Sequence, residues 1–351
     1  MQLVTPLLEE QWIVDGQTHS VRPSEDDALY IRPLLNSTGV VPAGIRVIHS
    51  LVLDNNVLSD LVENRRPSNN KFLIDLLRAK PVELNPVFAM IEQRQKYAGA
   101  TAVLHAYSEY LEENFGWSAA KVGAAAFDSA LASAKEQLIS NIDLLSGYLG
   151  AMIFLYHQDV PASQKLEWLS GMIQSSDIPY LQLQFYFAAL LFLTRERPDL
   201  FRAGDLEKVR DEMKLEASFE KQKKKVLNLS NDLALPAVSI FPTATPNQLV
   251  WPYVATRDKL VQLFLSEVSC GLIEKLPDGR ANGSWALKST GVVSTHLGPT
   301  IEQHLPRRLE RTSPQQRLVR KSRLQAFSDQ YIQKCVEMRL RHNAADSNVG
   351  A

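Results

Sequence analysis

The stretch "RVIHSLVLDNNVLSDLV", Arg46 to Val62, decides how the chain is read. Its first half, "RVIHSLVL" (46–53), is rich in apolar and β-branched residues. That is the pattern of a strand covered on both faces inside a parallel sheet. From Asn56 the apolar spacing changes to Val57, Leu58, Leu61 and Val62, the offsets of one helix face. Between the two periods stands Asp54, followed by Asn55 and Asn56. Asp and Asn are common N-caps at a strand-to-helix turn. A carboxylate at the C-terminal end of a parallel strand also stands where α/β sheets gather their ligands. The stretch alone leaves both readings open.

Working outward, "NKFLIDLLRAK" (70–80) has the spacing of a short amphipathic helix stopped by Pro81. "PVEL" (81–84) reads as a short strand, and Asn85-Pro86 opens a helix through about Tyr97 with a cap and an N1 proline. Strand, helix, helix, strand, helix is the order of an α/β unit with a parallel sheet. Residues 1–45 are rich in prolines and acids and read as an irregular N-terminal extension, so 46–100 is taken as the first part of the core. Residues 101–224 form a helical insertion, alanine-rich at first, with further helical spacing at 162–174, 180–195 and 204–225. The second part of the core, 225–300, starts with "KVLNLSNDLALPAVSIF" (225–241). There "VLNL" reads as a strand and Asp232 as the start of a short helix. "LVWPYVATRDKLVQLFLSEV" (249–268) then reads as strand, Thr256-Arg257-Asp258, and helix. The stretch 270–300 is glycine-rich and irregular apart from a strand at "SWALKST". Residues 301–351 read as a basic helical tail.

Composition bounds the function. With 351 residues, 45% of them hydrophobic, the chain can bury a large core. Its net charge of −1 means that any nucleic-acid contact has to come from local basic surface. Two such places exist. "EKQKKKV" (220–226) is a basic run, and 302–342 carries ten Lys and Arg against four acids. The first reads better as a solvated helix face, and the second is equally an amphipathic helix packing on acidic parts of its own chain. Cys270 and Cys335 are far apart and in no ligand spacing, which excludes a disulfide framework or a zinc site and suits a reducing compartment. The N-terminus has no basic region of the signal-peptide kind. The most apolar stretch, "YLQLQFYFAALLFL" (180–193), is too short to span a bilayer. The expectation is a cytoplasmic protein with no membrane partner.

Four carboxylates stand at telling places: Asp54 after the first strand, Glu92 in the helix after the second, Asp232 after a third and Asp258 after a fourth. Carboxylates packed together repel, which raises their pKa values unless a cation neutralises them. Mg²⁺ and Mn²⁺ are hard ions that take such oxygen ligands. The four motifs "LVLDNNVLSDLV", "ELNPVFAMIEQRQ", "NDLALPAVSIF" and "VATRDKLVQL" resemble, in order, those of the PIN-domain family of metal-dependent ribonucleases.

The resemblance covers about 46–98 and 225–268. It implies an α/β/α sandwich with a central parallel sheet, here joined to a large all-helical insertion. It also implies an endoribonuclease that cleaves single-stranded RNA with a metal-activated water. Asp54, Glu92, Asp232 and Asp258 would hold Mg²⁺ or Mn²⁺, and Asn55, Asn56 and Thr256 would hydrogen-bond the acids or a water. Asn55 stands where the family has Thr or Ser, and the insertion exceeds that of a minimal member. Both departures keep a second function open: a catalytically degenerate scaffold that binds protein, through the helical insertion, or RNA. A mostly helical interaction protein, with the acids scattered, is a third, and a homo-oligomer is left open.

Blander roles are weighed beside these. Asp177 in "SSDIPY" competes with Asp232 as third acid. Asp60 and Glu63 fall on the helix side turned away from Asp54 and read as solvated charges. His105, His157, His296 and His304 have no ligand spacing and read as structural or surface groups. Trp251, Tyr253 and Trp285 could stack on bases, but read better as core.

Overall fold

The computed structural model describes residues 1–19, 28–35, 39–41, 43–86, 88–89, 110–114, 144–239, 248–275, 281–305 and 313–349. The chain folds as a mixed α/β protein with a six-stranded mixed sheet and a large helical region. It divides into two units, one formed by Met1–Ile139, Leu235–Gln262 and Ser269–Ala286, the other by Ser140–Ala234, Leu263–Val268 and Leu287–Ala351.

In the first unit, the quoted stretch forms strand β6 (Arg46–Leu53) and helix α1 (Asn55–Val62). Helix α2 (Pro67–Ala79) and strand β7 (Val82–Asn85) follow, and β8 (Gln248–Thr256) comes much later. β6 lies between β7 and β8 and is parallel to both, so both its edges are paired. Leu51, Val52 and Leu53 are fully buried, which is why this strand reads as an unbroken apolar run.

The other half of the sheet comes from the N-terminal segment, which is not irregular. β2 (Gln11–Val14), β3 (Gln17–His19) and β4 (Leu29–Pro33) extend the sheet antiparallel, in the order β3-β2-β4-β8-β6-β7. β4 is buried along its whole length because it pairs with β8 on one side and β2 on the other. β2 and β3 are joined by Asp15-Gly16, both at positive φ, the two-residue turn whose twist matches a hairpin. A small pair, β1 (Gln2–Val4) with β5 (Gly39–Val41), and a second, β9 (Val268–Lys275) with β10 (Ala281–Leu287), complete the strands of the described residues. The first four residues of "SWALKST" thus form the end of β10.

The second unit is helical: α3 (Leu149–Tyr156), α4 (Ala162–Ser175), α5 (Gln182–Glu196), α6 (Ala203–Met213), most of α7 (Phe219–Ser239), the end of α8 (Lys259–Glu267), α9 (Val292–His304) and α10 (Pro314–Val349). α5 is buried on all sides from Leu183 to Thr194 and forms its centre. No described helix is long and apolar enough to cross a membrane. Gly150 lets α10 approach α3 closely: a Cβ there would stand 3.2 Å from the Ser328 carbonyl oxygen and the Ile332 nitrogen. Cys270 and Cys335 are buried free thiols.

One element departs from the sequence expectation in a way that matters for the site. "VLNL" is not a strand but part of α7. Val226, Leu229, Ser230, Leu233 and Ala234 are among its buried positions, a 3.6-residue period that the short apolar run V-L-N-L conceals.

Candidate functional site

Adjacent parallel strands bring two of the expected acids to one edge of the sheet. The register pairs Leu53 with Ala255, and the Asp54 N–H donates to the Ala255 carbonyl at 2.9 Å. Asp54, 8% exposed, therefore stands beside Thr256, which is 1% exposed. The Thr256 hydroxyl donates to Asp54 Oδ2 at 2.6 Å and accepts the Asp258 N–H at 3.0 Å. Asp258 Oδ1 in turn accepts the Val261 N–H at 2.9 Å, capping α8. Thr256 thus ties the two aspartates together across the strand ends.

Burial raises the Asp54 carboxyl to about 6. The Thr256 hydroxyl opposes that rise, the Asp258 charge adds to it, and the N–H groups of Asn56 and Asn55 offset part of it. Those amides belong to the first turn of α1, where no side-chain cap bond from Asp54 closes.

Around this pair lies an array of charges that the sequence spacing did not indicate. Asp60 is not a solvated charge. It is 7% exposed, and its Oδ2 forms ion pairs with Arg257 Nε at 2.7 Å and Arg66 Nε at 3.1 Å. Its backbone carbonyl accepts Asn70 Nδ2 at 2.9 Å and the Arg65 N–H at 3.1 Å. Arg257 comes from the turn between Thr256 and Asp258. Burial pulls its pKa down to about 10, against the charges of Asp60 and, more weakly, Asp54. A helix wheel drawn from the sequence turns Asp60 away from Asp54. It could not show that Arg257, nearly 200 positions later, fills the space beside it. Glu63 is exposed and pairs with Arg65, as a surface charge does.

The remaining acids stand differently. Glu92 lies outside the described residues. Asp232 sits in helix α7, half-exposed and within the helical unit rather than at a strand end. Asp177, its competitor, is in that unit too, exposed, held by Arg320 and Arg323. His157 is structural: its Nε2 meets the Met213 carbonyl at 2.8 Å. Trp251, Tyr253 and Trp285 are buried, as core.

Among the described residues, no group of three or more His, Cys, Asp or Glu side chains could hold a metal ion. The donor set at the sheet edge is two carboxylates, one of them buried and raised. Mg²⁺ usually binds through one or two carboxylates and keeps several waters, so Asp54 and Asp258 fit such an ion by ligand type. The chain matches no protein-family model, no curated protein and no solved structure.

Proposed function

We propose that the chain is a PIN-like, Mg²⁺- or Mn²⁺-dependent endoribonuclease acting on single-stranded RNA. The observation that carries this reading is the pairing of Asp54 and Asp258 through the Thr256 hydroxyl at the C-terminal ends of two adjacent parallel strands. Asp54 and Asp258 would hold the ion, which when bound supplies an activated water and charge for the leaving oxygen. Thr256 fixes the orientation of Asp54, and burial keeps bulk water from competing for its oxygens. Glu92 remains the candidate third ligand, on the strength of the motif alone, and Asp232 drops behind it because no strand delivers it.

The test is incubation of the purified protein with single-stranded RNA, with Mn²⁺ or with EDTA, beside Asp54→Asn and Asp258→Asn. Cleavage should need the metal and fall by about 100-fold or more in both variants, the scale of losing an electrostatic catalyst. Metal-independent cleavage, or full activity in either variant, overturns the assignment.

A second reading, a degenerate scaffold, is favoured by one feature. The described part of the site gathers two acids and a buried guanidinium, Arg257, which feels the Asp54 charge weakly. Titration calorimetry separates the two: the nuclease binds Mn²⁺ and loses it in Asp54→Asn, whereas the scaffold gives no heat in either form.

A further inference from the structure

The N-terminal segment is fastened within the sheet unit by a tie that the proposed chemistry does not use. β1 pairs with β5, and Gln2 Nε2 donates to the Ile45 carbonyl at 2.7 Å. Farther along, the Leu7 N–H donates to the Tyr253 hydroxyl of β8 at 2.8 Å. That oxygen also lies 2.9 Å from His49 Nδ1 on β6. Tyr253 is fully buried and Leu8 nearly so, whereas His49 is half-buried, so solvent protons reach the imidazole.

We propose that His49, Tyr253 and Leu7 form a proton-operated clasp: neutral His49 holds the strap Met1–Leu8 on the sheet, and protonated His49 releases it. The clasp is independent of the nuclease reading. Register sets His49 beside Trp251 and Leu51 beside Tyr253, so these side chains share one face of the sheet. Thr256, three positions beyond Tyr253, alternates onto the other.

Proton accounting carries the inference. The phenol has a single proton to donate. Its oxygen already accepts the Leu7 N–H, so that proton goes to His49 Nδ1, the one acceptor that the described residues bring to it. The imidazole is thereby the neutral tautomer with its own proton on Nε2. Protonation adds a hydrogen at Nδ1. The oxygen then faces two N–H donors, and the phenol proton is left without an acceptor in a buried place, which is costly. The bond to Leu7 is the one that yields. β8 is fixed between β4 and β6, whereas the strap's own ladder is only three pairs long. No other charge competes for the imidazole among the described residues. β6 adds Val47 and Leu51 on this face, β7 adds Val82, and β8 adds Trp251 and Tyr253. Arg46 and Glu83 pair with each other at 3.6 Å and alternate onto the opposite face. From the strap's end, Glu10 goes to Arg32 and Glu9 is exposed. Burial holds His49 below the ordinary imidazole value of 6.5. The strap's hold is therefore whole above that value and is lost as pH falls through the lower native one.

The experiment is hydrogen–deuterium exchange read by mass spectrometry, in EDTA, at about pH 8 and about pH 4.5, corrected for intrinsic exchange. In the wild type, a peptide covering Gln2–Leu8 should lose about tenfold in protection at the acid value relative to a peptide from β4, the scale of one buried hydrogen bond. The ratio to β4 removes the global effect of Asp54, which titrates in the same range. His49→Gln offers the phenol a carbonyl that does not titrate, so the strap should stay protected at both pH values. Tyr253→Phe removes the shared oxygen, so the strap should be loose at both. Nitrogen-15 NMR of the imidazoles should place the His49 proton on Nε2 at the higher pH. A wild-type ratio that does not change with pH, a change that survives in His49→Gln, or a His49 proton on Nδ1 overturns the proposal. If His49→Gln does not fold, Tyr253→Phe decides, because a pH-dependent strap in that variant overturns it equally.

Discussion

Asp54→Asn should make the metal-free protein more stable at neutral pH, and the gain should disappear in acid. The wild-type carboxyl titrates near 6 in the fold against a reference of 3.8. Between those values the native state holds a proton that the unfolded chain has released. Stability from this group is therefore full below about pH 4, falls as pH rises, and is lost above about pH 6. A shift of roughly two units at about 1.4 kcal/mol each amounts to ~3 kcal/mol of penalty at pH 7.5. Asparagine is uncharged and escapes it, while its carbonyl still accepts the Thr256 hydroxyl. That bond loses its charge assistance, worth about 1 kcal/mol. The net expectation is a gain of about 2 kcal/mol at pH 7.5 and none, or a small loss, at pH 4. Urea titrations in EDTA at the two pH values, followed by tryptophan fluorescence, measure it, since Trp12 and Trp251 are buried in the sheet unit. Mn²⁺ should raise the wild-type midpoint at pH 7.5 and leave the variant where it is. A variant less stable than wild type at pH 7.5, or a difference equal at both pH values, would refute the account of Asp54 as a buried, under-compensated carboxylate.

Four further outcomes are expected. Thr256→Val removes the hydroxyl between Asp54 and the Asp258 N–H, and should cost about 1–3 kcal/mol in urea titration and most of any metal-dependent cleavage. Asp60→Ala leaves Arg257 buried without its nearest counter-charge and should destabilise by about 3 kcal/mol, clearly more than Arg66→Ala. Gly150→Val drives a side chain into the α10 backbone and should lower the thermal midpoint, by about 1–3 kcal/mol of overpacking. Lys165 is 2% exposed, and burial lowers its pKa to about 8. Its ammonium is penalised in the native state below that pH, and the penalty fades as pH rises from 8 towards 10.5. Lys165→Met should therefore stabilise at pH 7 by an amount that shrinks at pH 10, read by chemical denaturation at both.

How much of this was legible depended on whether a pattern was local. β6, α1, α2, β7, β8 and α8 carry their period and their punctuation within a dozen residues, and each forms where its spacing places it. The hairpin β2–β3 was legible and overlooked: "WIVDGQTH" has an Asp-Gly pair between apolar runs, but the surrounding prolines and acids gave the segment the look of an extension. In α7 the evidence conflicted. "VLNL" is a short apolar run like a strand's, Pro236 suggests a stop, and only a window long enough to include Val226, Leu229 and Leu233 restores the helical period. That misreading moved Asp232 to a strand end it does not occupy. Asp54, Thr256 and Asp258 were legible as a group because Asp54 follows β6, Thr256 and Asp258 stand at the end of β8, and parallel strands end on one side. The Asp60–Arg257–Arg66 array was not, because an ion pair between residues so distant leaves no trace in either neighbourhood.

The hydrogen bond between Thr256 and Asp54 spans 202 positions of the chain, and β8 must be inserted between β4 and β6 to make it. At about 5–20 residues per second, a ribosome needs ~10–40 seconds between the two strands. Throughout that interval the nascent chain carries β6 with one edge of backbone N–H and C=O groups unpaired and no partner for Asp54. The edge calls for protection by a chaperone or by transient packing. The same delay makes the site all-or-none, because a polypeptide abandoned before β8 cannot assemble the pair of aspartates.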